Sequence, residues 1–381
     1  MLIFFYITLM VLFAYGILIE YYRRSWNKMP YFDLNMPRTQ NKQAIVTVII
    51  PARNEEKNIG KCLQSLLQQT YPKELMEIIV VNDHSTDQTE VVVKAFVQPY
   101  IRLINLAEHM NGKPINSYKK KALETAIAAS AGEWIMTTDA DCELPPDWVS
   151  CMMAMQQWQQ AAFIAAPVRI ADRGSLLPVF QSLDFISLQG ITGAAVYKKI
   201  HSMCNGANLG YEKKAFQEVG GFKGIDHIAS GDDMLLMHKI SKKYPDRIFF
   251  LKSRKAIVGT EPMRDWKTFI NQRIRWASKS TDYEDGSITQ SLLLVYFLNL
   301  FLLITLVATI WDRKNLLFFF ILVVVKTILE FRFVHTIARF FNQQRLMKYF
   351  FFLQPLHIFY TVVAGSFGKW GSYDWKGRKI K

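Results

Sequence analysis

Residues 288–310 hold no charged side chain. At about 1.5 Å of rise per residue, such a run crosses the hydrocarbon core of a bilayer as a helix. Residues 2–19 form a second uncharged run. No Lys or Arg precedes that run, and its only pair of small residues, Ala14 and Gly16, lies inside it. It therefore reads as a retained anchor over residues 1–24, not as a cleaved signal. Tyr21, Tyr22, Arg23 and Arg24 follow directly. An aromatic belt with positive charge behind it predicts an outside N-terminus and a cytoplasmic remainder.

The far end of the chain is apolar again, with two or three membrane segments expected over residues 288–368. Residues 316–334 are apolar but carry Lys326, Glu330 and Arg332, and residues 349–368 are uncharged with Pro355 in the middle. The tail, residues 369–381, is basic. Four full spans would leave that tail outside, against the positive-inside tendency, so one of the last two segments is expected to lie on the membrane or re-enter it. The reading is a multi-pass protein of the cytoplasmic membrane.

The charge balance agrees, with 46 Lys and Arg against 32 Asp and Glu. The excess crowds beside the apolar runs, at Arg23, Arg24 and Lys28 and again at Arg339, Arg345 and Lys348. That placement suits anionic lipid, and neither zinc-finger spacing nor an aromatic-basic RNA signature is present, so nucleic acid is not expected as a partner. Cys62, Cys142, Cys151 and Cys204 are scattered without a CxxC pair, which fits reduced thiols in a cytosolic compartment.

Between residues 41 and 279 the text changes to that of a soluble α/β domain. Strands are expected at 45–50, 78–81, 101–106 and 134–138, with helices at 55–69, 85–96 and 119–131 between them. This alternation predicts a doubly wound, mostly parallel sheet, whose ligands bind outside the carboxyl ends of the strands. Neither a G-x-x-x-x-G-K-[ST] loop nor a G-x-G-x-x-G turn is present, so nucleotide binding has to rest on carboxylates and a metal ion. Three acidic groups stand where such a sheet would place a ligand. Asp83 and Asp87 follow the second strand, Asp139 and Asp141 follow the fourth, and Asp232-Asp233 opens a helix expected over 234–243. An extended Asp139-Ala-Asp141 would aim both carboxylates along one face. Hard oxygens in that arrangement suit Mg²⁺ or Mn²⁺ on a diphosphate. His84 and His201 read as ordinary surface or packing residues.

The ordered set resembles the family 2 glycosyltransferases. The matching stretches are VIIPARNEE at 48–56, VNDHSTD at 81–87, TDAD at 138–141, NGAN at 205–208, GDD at 231–233 and QRIRW at 272–276. The resemblance covers roughly residues 45–279. It implies a GT-A catalytic fold and inverting, metal-dependent transfer from a nucleotide-sugar. It also implies roles residue by residue. Pro51, Glu55 and Asp83 would form the nucleoside pocket of a UDP-sugar, or less commonly a GDP-sugar. Lys119 resembles the family's lysine near the nucleotide, although Tyr118 precedes it where the family usually has Gly. Asp139 and Asp141 resemble the D-x-D pair, with Asp141 the metal contact. Asp233 resembles the general base, beside Asp232 where many relatives carry Glu. Asn208 falls in a substrate-binding motif. Gln272, Arg275 and Trp276 match Q-x-x-R-W, with Arg275 on the diphosphate and Trp276 a platform at the acceptor entrance.

The acceptor expected is a lipid or lipid-linked molecule at the membrane surface. A processive polysaccharide synthase is the first alternative, and a membrane-bound nucleotidyltransferase or a catalytically silent scaffold are others. Intact Asp83, Asp141 and Asp233 argue against silence.

Overall fold

The computed structural model describes residues 2–34, 44–110, 115–172, 174–200, 203–278, 286–368, 373–375 and 378–380. The expected domain boundaries at 41 and 279, His201 and the side chains of the basic tail lie outside the described residues. In chain order the helices are α1 (Leu2–Lys28), α2 (Ile59–Leu67), α3 (Thr89–Lys94), α4 (Tyr118–Ala129), α5 (Trp148–Gln159) and α6 (Leu176–Tyr197). They continue with α7 (Lys213–Glu218), α8 (Met234–Lys243), α9 (Trp266–Ala277), α10 (Gly286–Val307), α11 (Lys314–Phe340) and α12 (Phe350–Gly368). The strands are β1 (Val46–Ala52), β2 (Met76–Asn82), β3 (Ile101–Asn105), β4 (Trp134–Thr137), β5 (Cys142–Glu143) and β6 (Phe163–Ala165). After them come β7 (Val168–Ile170), β8 (Leu209–Glu212), β9 (Ile248–Phe250) and β10 (Val258–Thr260), and a tail hairpin of β11 (Tyr373–Trp375) and β12 (Arg378–Ile380).

The chain divides into two compact units, residues 29–171 with 192–261, and residues 1–28 with 172–191 and 262–381. In the first, a seven-stranded sheet runs β3-β2-β1-β4-β8-β6-β9. β1, β2, β3 and β4 pair in parallel, whereas β8 is antiparallel to both β4 and β6. β1 and β2 are buried, nearly continuous apolar runs, broken in β1 only by Thr47, because helices cover both faces of a parallel sheet. The chain leaves β1 toward β2 on one side and takes up β4 on the other, so the crevice at their carboxyl ends is the switch point where ligands bind.

The helices begin later than their apolar pattern suggests, for a local reason. Asn54 and His84 both adopt left-handed backbone, with φ of 52° and 55°, and this stops a helix from starting at either loop. The two loops instead lock together. Asn54 Oδ1 accepts from Thr86 N at 2.8 Å, and Ser85 Oγ accepts from Asn54 N at 3.0 Å. α2 therefore starts at Ile59 and α3 at Thr89.

The second unit holds the apolar helices. Ile3–Lys28, Ile288–Ile310 and Gln344–Gly368 are each long and apolar enough to cross a membrane. α11 is 27 residues long but carries Lys326 and Glu330 in its interior. Their side chains pair at 2.7 Å, both buried. The Tyr15 hydroxyl on α1 donates to Glu330 Oε1, and Gln354 on α12 bridges the pair, donating to Glu330 at 2.8 Å and accepting from Lys326 at 2.9 Å. Turning both charges inward leaves Leu317, Phe320, Ile321, Val324 and Ile328 exposed on α11.

Removing one member of a buried pair leaves an uncompensated charge, at a cost of roughly 3–5 kcal/mol, whereas removing both is far milder. Lys326→Met is therefore expected to lower the thermal midpoint of the detergent-solubilised protein sharply, and Lys326→Met with Glu330→Gln to recover much of the loss. Equal midpoints for the single variant and wild type would show that the pair does not stabilise the bundle.

Candidate active site

The carboxyl ends of β1, β2 and β4 bring most of the expected residues together. Pro51 is the penultimate residue of β1 and sits beside Val81 of β2. Asp83 is buried just past β2, and its N–H donates to Ala52 O at 2.8 Å, tying the two strand ends. Its carboxylate lies 2.9 Å from His84 Nδ1, and Arg53 Nη1 donates to its carbonyl at 2.9 Å. Glu55 is also buried, and its Oε2 accepts from Asn58 Nδ2 at 2.8 Å.

Asp139 and Asp141 follow β4, but not in extended form. The backbone turns at once, with Cys142 N–H donating to Asp139 O at 3.1 Å, so the expected shared face of a strand is replaced by a tight turn. The turn arises because β5 must start at Cys142 to pair with β10. Both carboxylates remain partly exposed at the strand end. Around them Cys62 and Cys142 are held as neutral thiols, since burial first, and then the charges of Asp141 and Asp139, push both well above the ordinary range.

Lys119, in the first turn of α4, joins two of the acidic groups. Its Nζ lies 2.8 Å from Asp139 Oδ1 and 3.3 Å from Asp232 Oδ2. Burial alone would lower the ammonium's pKa, but the charges of Asp139, Asp232 and Asp233 outweigh it and the pKa is raised. The departure at Tyr118 thus does not remove the lysine from the acidic cluster. Tyr118 meets His84 edge-on, with ring centroids 5.6 Å apart.

Asp233 is the N-cap of α8. Its Oδ1 accepts from Met234 N at 2.7 Å and its Oδ2 from Gly206 N at 3.1 Å. Gly206 itself was not singled out from the sequence. A Cβ there would stand 3.2 Å from Lys119 Nζ and 3.3 Å from Asp232 Oδ2, so its lack of a side chain lets the two charges approach. Its signal lay in the NGAN motif, from which the reading took Asn208 instead. Asn208 is wholly buried and serves as an internal strut, donating to Pro167 O and Ala256 O at 2.8 Å each and accepting from Trp148 Nε1 at 2.7 Å. It presents no surface to a substrate, which corrects that expectation.

The QRIRW stretch lies on α9, in the unit with the apolar helices. Gln272 accepts from Arg273 Nη1 at 2.9 Å, and Arg275 and Trp276 are partly exposed. The buried member is Arg273, which the sequence reading passed over. Its Nε and Nη2 donate to Asp184 of α6 at 3.0 and 2.6 Å, and the Tyr360 hydroxyl of α12 donates to the other oxygen of Asp184. The same guanidinium lies 4.2 Å from the Trp276 ring centroid.

Comparison with known proteins decides the class. The model for glycosyl transferase family group 2 matches residues 134–367, and the model for glycosyl transferase family 2 matches residues 47–220. The chain belongs to the family 2 glycosyltransferases. Over 257 residues it is 29% identical to the probable glycosyltransferase YdaM of Bacillus subtilis, in a match covering 65% of this chain and 58% of that protein. Over 233 residues it is 26% identical to glycosyltransferase AglE of Haloferax volcanii, covering 60% of this chain and 71% of the other. A mannosyltransferase structure from Pyrobaculum calidifontis, in complex with GDP-Man and Mn²⁺, superposes with a TM-score of 0.54 at 18% identity. That match covers 95% of this chain and 99% of the other, and supports a GT-A fold for this glycosyltransferase.

Among the described residues, no three His, Cys, Asp or Glu side chains gather closely enough to hold a metal ion alone. With the neighbouring thiols neutral, Asp139 and Asp141 supply hard oxygens of the kind Mg²⁺ and Mn²⁺ take.

Proposed function

We propose that this glycosyltransferase moves one sugar from a nucleotide-sugar, most simply a UDP-sugar, to a hydroxyl of a lipid or lipid-linked acceptor, with inversion. The observation that carries the reading is Lys119, which joins Asp139 just past β4 to Asp232 beside the α8 cap Asp233. Pro51, Glu55 and Asp83 line the nucleoside side. Asp139 and Asp141 would hold a divalent cation, which when bound supplies charge stabilisation for the departing diphosphate. Asp233 takes the proton of the acceptor hydroxyl, the task of a carboxylate base in an inverting transfer. Arg275 is assigned to the diphosphate.

A lipid acceptor is supported by the company Trp276 keeps. α9 packs on α12, so this aromatic is carried by the unit that holds the membrane-length helices. A ring at the membrane interface holds a polar head while the tail stays in lipid. Trp276→Ala is expected to raise the acceptor KM about 10-fold, a loss of the size an aromatic stacking contact contributes, with donor KM little changed. A change confined to the donor KM would return Trp276 to packing against Arg273.

The whole reading is tested by incubating membranes containing the enzyme with labelled UDP- and GDP-sugars and extracting lipid. Label in the organic phase supports it. Label only in an aqueous polymer would replace it with a processive synthase, and no transfer from any sugar nucleotide would overturn it.

A further inference from the structure

α4 opens with adjacent lysines that point to different groups, since successive helical residues lie about 100° apart around the axis. Lys119 faces the acidic side chains. Lys120 turns inward and is only 1% exposed, among the most deeply buried charged residues described. Its Nζ lies 2.6 Å from Ile225 O, 2.6 Å from Ile228 O and 2.9 Å from Ser230 O. An ammonium has three N–H donors, and here a carbonyl stands within reach of each. Ser117, at the start of the same helix, adds a weaker contact from its hydroxyl to Ala229 O at 3.4 Å.

All four carbonyls belong to the stretch between α7 and α8. That stretch consists of turns and bends, closed by contacts such as Ile225 N to Phe222 O at 3.0 Å and Ile228 N to Ile225 O at 3.3 Å. It delivers the chain to Gly231, whose φ of 78° swings it into Asp232 and Asp233. With no helix or strand of its own, the stretch takes its path from what its inward carbonyls bind. A buried carbonyl left without a donor is costly, so removing the ammonium would let the stretch move toward water.

We propose that Lys120 is a positioning residue for catalysis. By drawing residues 225–230 around its ammonium, it fixes where Asp233 stands against the donor-side carboxylates. The inference rests on Asp233 being the base. Its force comes from distance, because a misplacement of about 1 Å in a reacting group costs on the order of 100-fold in rate.

Lys120→Met in the full-length enzyme is expected to keep UDP affinity and donor KM within about twofold, while kcat falls about 10- to 100-fold. Lys120→Arg, which restores a buried cation with N–H donors, should regain part of the lost kcat. If Lys120→Met does not fold, Lys120→Gln keeps two of the three N–H donors and is judged by the same split. Adding Lys120→Met to Asp233→Asn should cost little more than Asp233→Asn alone, because both act through one carboxylate. UDP affinity falling in step with kcat would overturn the proposal and leave Lys120 a scaffold residue. So would a Lys120→Met kcat near wild type beside an inactive Asp233→Asn. Full activity in Asp233→Asn would sink the base assignment and overturn the proposal with it.

Discussion

Asp141→Ala is expected to remove the metal-dependent part of UDP affinity and to lower transfer by about 10²–10³, the range found when one group stabilising developing charge is deleted. Asp141 stands at the tip of the turn after β4, partly exposed. Asp139 is differently placed, because its Oδ1 already meets Lys119 at 2.8 Å. With Asp141 absent, Asp139 alone would have to hold a divalent cation while also balancing that lysine. The turn itself rests on the backbone contact from Cys142 N to Asp139 O and on the pairing of β5 with β10, neither of which needs the Asp141 side chain. The variant should therefore fold like wild type. Titrating UDP with and without Mn²⁺ checks the expectation. An affinity that still rises with Mn²⁺ in the variant would move the cation site away from this turn.

The parts of this protein legible in its sequence are those set by local pattern. The apolar runs of β1 and β2 are visible because a parallel sheet buries both faces, and α8 falls at Met234–Lys243 as its pattern predicts. The ordered carboxylates were legible because Asp at a strand end is distinctive by type and place. What stayed hidden depends on partners distant in sequence. Lys120 reads as one of three surface lysines until the carbonyls of residues 225–230 fold over it. Arg273 reads as a filler between Gln272 and Trp276 until Asp184 and Tyr360 arrive from other helices. Asn208 looked like a ligand contact by type, but an amide's donor and acceptor serve equally well as an internal brace. Lys326 and Glu330 stand in the sequence only as charges within an apolar run, because their pairing with Tyr15 and Gln354 is not written in any window of sequence.

Asp233→Asn should lower transfer by about 10² or more, the contribution of a positioned general base, with UDP affinity little changed. The substitution is structurally mild. Asn caps helices about as well as Asp, and its carbonyl oxygen can still accept from Met234 N. The contact from Gly206 N to Oδ2, 3.1 Å in the wild type, is the one put at risk, since an amide nitrogen there would face another donor. Losing one part-buried hydrogen bond of this kind costs about 1 kcal/mol. It should lower the thermal midpoint slightly without unfolding the site. A fall in kcat far beyond that stability change then reports chemistry. Transfer near wild type would place the base elsewhere, and Asp232 would be the next candidate. Its Oδ2 stands 3.3 Å from Lys119, so as a base it would have to accept a proton beside a cation. A neighbouring positive charge favours the ionised form and opposes that step. Asp233 is thus the proposed base and Asp232 the partner of Lys119, and measuring Asp232→Asn beside Asp233→Asn separates the two. Loss of kcat in Asp233→Asn together with altered UDP affinity in Asp232→Asn is the expected pattern, and the reverse would exchange their roles.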